Sequence, residues 1–373
     1  MKNFKELGVS ANLIKGLNDM NIVEPTAIQA EVISVLLNGN MDLVGQAQTG
    51  TGKTAAFGLP LLQRIDSNQK VIQALILCPT RELGLQISKQ LFRFTKYTDK
   101  IFTEAVYGGA PIEGQINALR RPTHIIVATP GRLLDLVKRK ALDLGNVKTV
   151  ILDEADEMLS MGFKKELDEI LTHVSRVENK WLFSATMPDG IKRIIKHHMS
   201  PNAVRIQISG KNVVNKKIKH EFLICEENEK LQVLLQFLKS SDNSRGIIFC
   251  KTKLAAQTLV KQLIAKNIPV DAIHGDLLQK DRSKVMRAFK NEKLQFLVAT
   301  DIAARGIDVE GLAFVIHYQL PDKEEYYTHR SGRTARAGKE GVSLALVTSK
   351  ELKQIRYFQK VLHIGFSQIR PRR

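Results

Sequence analysis

Two stretches of this chain repeat one another at a nearly fixed distance, and the repeat limits the folds open to it more than any other feature. The run LILCPTRELGLQ, with Cys78, matches IIFCKTKLAAQ, with Cys250, at an offset of 172 residues. The run IIVATPGR matches FLVATDIAARG, setting Val127 against Val298 at an offset of 171. Two matches at almost one spacing point to internal duplication of a single domain. Around both copies, short β-branched and aliphatic runs alternate with longer helical stretches. They are MDLVG, ALILC, HIIVA, TVILD and KWLFS in the first half, and GIIFC, VDAIHG, QFLVAT, FVIHY and VSLALV in the second. Continuous apolar strands alternating with helices predict a parallel sheet covered on both faces. The repeated pieces lie at the C-terminal ends of strands, where open α/β sheets place their ligands. Each half is therefore expected to bind something at an equivalent edge.

At 373 residues the chain exceeds what one core ordinarily holds, which agrees with two domains. The segment ISGKNVVNKKIKHEF has Gly210, few large apolar side chains and a lysine cluster, and reads as a linker. The expected organisation is a first domain over residues 1–209, a linker at 210–217 and a second domain over 218–373. Three scattered cysteines, Cys78, Cys225 and Cys250, suit neither a disulfide framework nor a zinc site and point to a reducing compartment, hence a cytoplasmic protein. The start MKNFKELGVS lacks a signal-peptide core, and no apolar run approaches the ~18 residues of a membrane span, so no membrane partner is expected. Charge points elsewhere. With 56 Lys and Arg against 38 Asp and Glu, the chain carries a formal +18 and favours a polyanion, nucleic acid ahead of anionic lipid. Residues 1–209 carry 26 basic and 21 acidic side chains, residues 210–373 carry 30 and 17, so the second half is the more basic surface.

Against that balance, four carboxylates crowd into TVILDEADEML: Asp153, Glu154, Asp156 and Glu157. Their explanation lies about a hundred residues upstream. LVGQAQTGTGKT, residues 43–54, runs from a strand through a glycine-rich turn into a helix. Gly50 and Gly52 let backbone N–H groups curl around phosphate, Lys53 reaches the terminal phosphates, and the Thr54 hydroxyl suits Mg²⁺. Ala47 replaces the usual first glycine; a glycine-rich turn without phosphate is the plainer alternative. A bound triphosphate needs Mg²⁺, a hard cation that takes carboxylates. Asp153, the first residue past the apolar run, is placed to hold that ion, and Glu154 to accept a proton from a water attacking the γ-phosphate. Asp156 and Glu157 read no further than a solvated acidic helix start.

With AQTGTGKT and DEAD in place, the chain resembles the DEAD-box ATP-dependent RNA helicases of superfamily 2, bacterial type, over nearly its whole length. The resemblance implies two tandem RecA-like α/β domains, each a mostly parallel sheet flanked by helices. It further implies ATP with Mg²⁺ on the first domain and RNA-stimulated hydrolysis that closes both domains on RNA, unwinding duplex locally and remodelling RNA–protein complexes. Phe4 followed by EPTAIQ resembles the adenine-reading motif, within residues 2–30, with Gln29 on the adenine edge. Ala47, Gln48, Thr49, Gly50, Thr51, Gly52, Lys53 and Thr54 form the phosphate loop, and Asp308 at the end of ATDIAARGID joins the nucleotide contacts. PTREL, Gly108-Gly109 and TPGR supply RNA-backbone contacts at Thr80, Arg81, Gly109, Thr129 and Arg132. Gln279, Arg282 and Thr300 do so in the second half. Ser184 and Thr186 of SAT link hydrolysis to closure, and HRSGRTARAG brings Arg333 and Arg336 to the γ-phosphate.

The residue types suit these roles. Gln29 offers a donor and an acceptor, as adenine does. Arg333 and Arg336, three apart, share a helix face and could form an arginine finger, although a solvated basic face has the same spacing. Thr80, Arg81, Thr129 and Arg132 suit phosphate oxygens, and capping by the threonines is compatible with that. His274 and His329 read as structural. Ile22 stands where the family carries an aromatic residue, which leaves Phe4 as the aromatic candidate at the adenine. One Trp and 6% aromatics supply few stacking platforms, so RNA is expected to be held by its backbone with little sequence specificity. The chain ends at FSQIRPRR, a few turns past the last expected strand, and no accessory RNA-binding domain is expected. Ribosome assembly and RNA decay both stay open as the process served, and with them the protein partners. Two rivals are a non-catalytic ATP-dependent RNA clamp and a DNA translocase.

Overall fold

The structure, a computed structural model, describes residues 2–48, 50–174, 177–208, 217–241, 244–304, 309, 311–335 and 339–370. Thr49, Asp308, Arg336 and nearly all of the expected linker at 210–217 lie outside the described residues. The chain divides into two units, Met1–Ile208 and Ser209–Arg373.

The first unit is built on β1 (Leu43–Gln46), β2 (Ala74–Leu77), β3 (Thr103–Val106), β4 (Ile125–Ala128), β5 (Thr149–Leu152), β6 (Asn179–Ser184) and β7 (Val204–Gln207). They form one parallel sheet in the order β3-β4-β2-β5-β6-β1-β7. The second unit holds β8 (Ile218–Ile224), β9 (Gly246–Phe249), β10 (Val270–Ile273), β11 (Phe296–Ala299), β12 (Phe314–His317), β13 (Gly341–Val347) and β14 (Phe366–Gln368). Its order, β10-β11-β9-β12-β13-β8-β14, is the first order shifted by seven strands. Register agrees as well: Ile76 pairs Val127 in the first sheet and Ile248 pairs Val298 in the second, two residues before Cys78 and Cys250. The repeat in the sequence is a repeat of topology.

The central strands read as unbroken apolar runs because both faces are covered. In β2, Ala74 and Ile76 enter one core cluster while Leu75 and Leu77 enter the other. Each of the larger side chains, Leu75, Ile76 and Leu77, contributes about 1.5–3 kcal/mol when fully buried. Four strands absent from the sequence reading are β3, β7, β8 and β14. Three are sheet edges, covered on fewer sides, and they carry polar residues such as Glu104, Arg205 and Gln368. The fourth, β8, begins at Ile218, just past the expected linker at 210–217, and its Lys219, His220 and Glu221 mask the strand pattern at the end of ISGKNVVNKKIKHEF.

Candidate functional site

Because all strands of the first sheet are parallel, their C-terminal ends form one edge, and strand order splits that edge in two. The loops after β1, β5 and β6 make one half, those after β2, β3 and β4 the other.

On the first half, β1 runs into the glycine-rich loop and then the helix Lys53–Arg64. Gly50 and Gly52 take left-handed φ values of 80° and 89°. At Gly52 a Cβ would also fall 2.3 Å from Nε2 of Gln29, so two independent constraints demand glycine there. Lys53 is 6% exposed, and its ammonium donates to the Ala47 carbonyl at 2.9 Å. Thr54 follows it, half-buried, in the first turn of the helix. Thr51 Oγ1 donates to the Gln48 carbonyl at 2.8 Å.

Gln29 is already engaged: Oε1 accepts from the Thr26 N–H at 2.9 Å and Nε2 donates to the Gly52 carbonyl at 3.0 Å. Thr26 Oγ1 donates to the Thr51 carbonyl at 2.8 Å. The helix Ala27–Leu37 and its N-cap Thr26 are thus bonded directly to the glycine-rich loop, a link the sequence alone does not contain. One lone pair and one N–H of the Gln29 amide remain for a base edge. Phe4 is placed differently from expectation. Its ring is 3% exposed, in the core cluster with Leu7, Val9 and Leu13, and presents no open face to a nucleotide. Ile22 packs against the same cluster. Near the N-terminus an aromatic residue gains more by burial than by waiting on a ligand.

At the end of β5, Asp153 is 2% exposed, and burial pushes its carboxyl up to about 7 even though the Lys53 ammonium pulls it down; the neighbouring Glu154 adds to the rise. Its Oδ1 accepts the Glu154 N–H at 3.0 Å. Glu154 takes a left-handed φ of 52°, uncommon for a residue with a side chain, ahead of the helix Ala155–Ser160. Asp156 and Glu157 correct the sequence reading, for they are buried at 7% and 5% rather than solvated. Asp156 Oδ2 accepts both the N–H and the Oγ1–H of Thr186, each at 2.8 Å. Ser184 Oγ donates to the Thr186 carbonyl at 2.7 Å, and its own carbonyl accepts the Ala47 N–H at 3.1 Å. SAT therefore bridges the Asp156 carboxylate and the start of the glycine-rich loop.

These residues fit a magnesium–triphosphate. A buried carboxyl held near neutrality beside one ammonium is short of positive charge, and a hard cation with oxygen ligands supplies it. Gly50 leaves its backbone open, since a Cβ there would meet nothing within 4 Å.

The other half of the edge gathers the expected backbone-contact residues. Thr80 caps the helix Arg81–Phe94, accepting from the Leu83 N–H at 3.3 Å. The Arg81 guanidinium lies 4.4 Å over the Tyr107 ring, next to exposed Gly108 and Gly109, the latter at φ 78°. Thr129 Oγ1 accepts the Gly108 N–H at 3.4 Å, and Arg132 Nη2 donates to the Ala110 carbonyl at 2.9 Å. Strands β3, β4 and β2 are neighbours, so residues from 80 to 132 meet on one face.

In the second unit the equivalent strands are β10, β11 and β9. Gln279 opens the helix Gln279–Lys290, and Arg282 Nη2 donates to the Ala303 carbonyl at 2.8 Å. Thr300 stands just beyond β11, its N–H donating to the Ile273 carbonyl at 3.3 Å. His274 is buried, with Nε2 3.0 Å from the Gln257 amide nitrogen. Arg333, 8% exposed, follows the helix Glu324–Ser331, and its Nε donates to the His329 carbonyl at 3.2 Å. No helix among the described residues is long and apolar enough to cross a membrane.

Comparison with known proteins agrees with this geometry. The DEAD/DEAH box helicase family model matches residues 26–194, and the helicase conserved C-terminal domain model matches residues 229–338. The chain is 43% identical over 360 residues to the DEAD-box ATP-dependent RNA helicase CshA of Bacillus cereus, covering 96% of this chain and 68% of that protein. It is 41% identical over 372 residues to CshA of Geobacillus kaustophilus, covering 100% and 79%. Among solved structures, S. cerevisiae Dbp5 bound to RNA and ADP BeF3 superposes with a TM-score of 0.92 at 31% identity, covering 100% of this chain and 96% of that one. With two sheets of one RecA-like topology, a glycine-rich loop beside buried carboxylates, and these relatives, the chain belongs to the DEAD-box ATP-dependent RNA helicases, enzymes that hydrolyse ATP.

Proposed function

We propose that RNA-stimulated ATP hydrolysis by this chain drives closure of its two units on RNA, separating short duplex regions and remodelling RNA–protein complexes. The observation that supports this best is the division of one sheet edge into a nucleotide half and a second half rich in hydroxyls and guanidiniums. One rigid sheet then carries both ligands, and the Asp156–Thr186 bonds give a path between hydrolysis and the segment SAT.

In the proposed cycle the phosphate loop holds the triphosphate through its backbone N–H groups, and Lys53 neutralises the terminal phosphates. Gln29, fixed by Thr26 and Gly52, presents its remaining donor and acceptor to adenine. Thr54 and Asp153 would hold Mg²⁺, which when bound offsets the charge of the phosphate oxygens. Glu154 accepts the proton of the attacking water, and Arg333 with Arg336 stabilises the charge that develops on the γ-phosphate. Thr80, Arg81, Gly109, Thr129 and Arg132 with Gln279, Arg282 and Thr300 grip the RNA backbone, blind to most of its sequence. The work is proposed to take place in the cytoplasm, alongside ribosome-assembly or RNA-decay proteins. Phosphate release with RNA, with DNA and with neither tests the proposal. RNA alone should stimulate; equal stimulation by DNA favours a translocase, and ATP binding without turnover favours a clamp.

A further inference from the structure

We propose that the turn carrying Arg333 is set in position by a clamp of buried polar side chains, with Ser331 and Thr334 as positioning residues for hydrolysis. The inference rests on the reading of Arg333 as a guanidinium that meets the γ-phosphate.

The turn is gripped at four points. Arg330, 1% exposed, holds both carboxylate oxygens of Asp301 through Nε and Nη2, and its Nη1 donates to the Gln319 carbonyl at 2.7 Å. Its guanidinium also lies 5.1 Å over the Phe249 ring. Ser331 Oγ sits 2.9 Å from Ser343 Oγ and 3.4 Å from His317 Nε2. Thr334 Oγ1 donates to the Leu312 carbonyl at 2.5 Å. At the head of β13, Gly341 lets the backbone approach so closely that a Cβ would fall 2.1 Å from Thr334 Oγ1 and 2.8 Å from the Ala335 nitrogen. Ala335 itself is turned to a left-handed φ of 56°. The chain on both sides of Arg333 is therefore fixed to β11, β12 and β13 at once.

The Ser331 contacts continue inward. Tyr327 Oη lies 3.2 Å from Ser343 Oγ and 2.7 Å from His220 Nδ1, and the Tyr327 ring stacks on His317 at 4.5 Å. Burial keeps both imidazoles neutral, His220 lowered to about 4 and His317 held well below the ordinary imidazole range. As a contribution to stability alone this is a costly arrangement. Apolar side chains of similar volume would pack there without desolvating hydroxyls, and His220 Nε2 and His317 Nδ1 have no hydrogen-bond partner among the described residues. What such a network supplies is one defined geometry, and it is sited at the helix end from which a catalytic guanidinium must be aimed. A misplacement of about 1 Å can cost on the order of 10²-fold in rate.

The test is a double-mutant cycle in the full chain, read by RNA-stimulated phosphate release. Thr334→Val and Ser331→Ala should each lower kcat about tenfold, leaving KM for ATP and RNA affinity within about twofold. Thr334→Ser should restore the wild-type rate. Adding Thr334→Val to Arg333→Ala should cost nothing more, since a positioning residue has nothing left to position. Wild-type kcat in both clamp variants overturns the inference, as do losses that multiply with Arg333→Ala. So does a Thr334→Ser variant as slow as Thr334→Val. An Arg333→Ala chain that turns over at the wild-type rate has a different meaning: the arginine reading itself falls, and the clamp with it. Should Thr334→Val fail to fold, Ser331→Ala carries the same cycle with one oxygen removed.

Discussion

The two units share a strand order and differ along only half of it. On the half made by β2, β3 and β4 in one unit and β9, β10 and β11 in the other, the chemistry is repeated. Thr80 caps the helix after β2 through the Leu83 N–H, and Thr252 caps the helix after β9 through the Ala255 N–H. Thr129 and Thr300 each stand just past β4 and β11, their N–H groups bonded to the neighbouring strand. On the other half the chemistry diverges. Pairing of β5 with β2 and of β12 with β9 sets Tyr318 and Gln319 where the first unit has Asp153 and Glu154. A buried lysine opens the helix after the first strand in both units. Lys53 donates to a carbonyl, whereas Lys230, 1% exposed, sits 2.8 Å from the Glu227 carboxylate and 3.4 Å from that of Glu351. A lysine closed by internal carboxylates is a structural ion; one closed by a single carbonyl keeps donors for a ligand. The half whose chemistry is repeated is the one proposed to contact RNA, and the half that diverges is the one proposed to carry hydrolysis in the first unit alone.

The sharpest way to break this contrast is Glu154→Gln, which gives the first unit the residue type that the second carries at the equivalent place. Hydrolysis should fall at least ~10²-fold, the scale of general base catalysis, with ATP and RNA binding retained. Phosphate release near the wild-type rate would remove Glu154 from its role. Next comes the lysine pair. Lys53→Met should weaken ATP binding by roughly 10- to 100-fold, the loss of a charge-assisted contact. Lys230→Met should leave ATP binding alone and destabilise the second unit by about 1–3 kcal/mol through the stranded Glu351. Nucleotide titration and thermal unfolding of both variants separate the outcomes, and equal losses of ATP affinity would erase the distinction.

The half held in common gives a smaller and symmetric effect. Arg132→Ala and Arg282→Ala should each weaken unrelated RNAs alike, by roughly tenfold, and flatten the salt dependence of binding by about one phosphate contact. A preference for one RNA sequence, lost in either variant, would mean that base reading had been overlooked.

The smallest effect concerns pH in the ligand-free chain. Asp153 is raised to about 7 from the 3.8 of an ordinary aspartate, mainly by burial, so the folded first unit binds a proton that the unfolded chain has released. Its stability should fall as pH rises between about 4 and 7. His220 is lowered by burial to about 4 from 6.5, so the unfolded second unit binds the extra proton and its stability should rise over nearly the same range. Trp181 is the single tryptophan and lies in β6, so its fluorescence follows the first unit alone. Asp153→Asn should flatten that unit's slope, and slopes of one sign in both units would contradict the assignment.

The sequence by itself determined what is contiguous. The glycine-rich turn, the carboxylates that end an apolar run, and the offset repeat are local patterns, legible because a strand end, a tight turn and a helix start each impose their own residue types. The repeat even anticipated the shared register of β2 with β4 and of β9 with β11. Only the tertiary structure decided which of these pieces touch. Asp156 reads as a solvated helix start until strand order brings Thr186, thirty residues on, to its carboxylate. Gln29 reads as a base contact until the helix Ala27–Leu37, which carries it in its first turn, lays it against Gly52. Phe4 reads as the aromatic partner of the adenine until packing places it in the core with Leu7, Val9 and Leu13. The edge strands β3, β7 and β14 escaped because they are covered on fewer sides and need no unbroken apolar run, and Arg330, within HRSGRTARAG, had no visible partner until folding buried it on Asp301. Residue type states what a side chain can bond to, and the order of strands in a sheet settles which partner comes within reach.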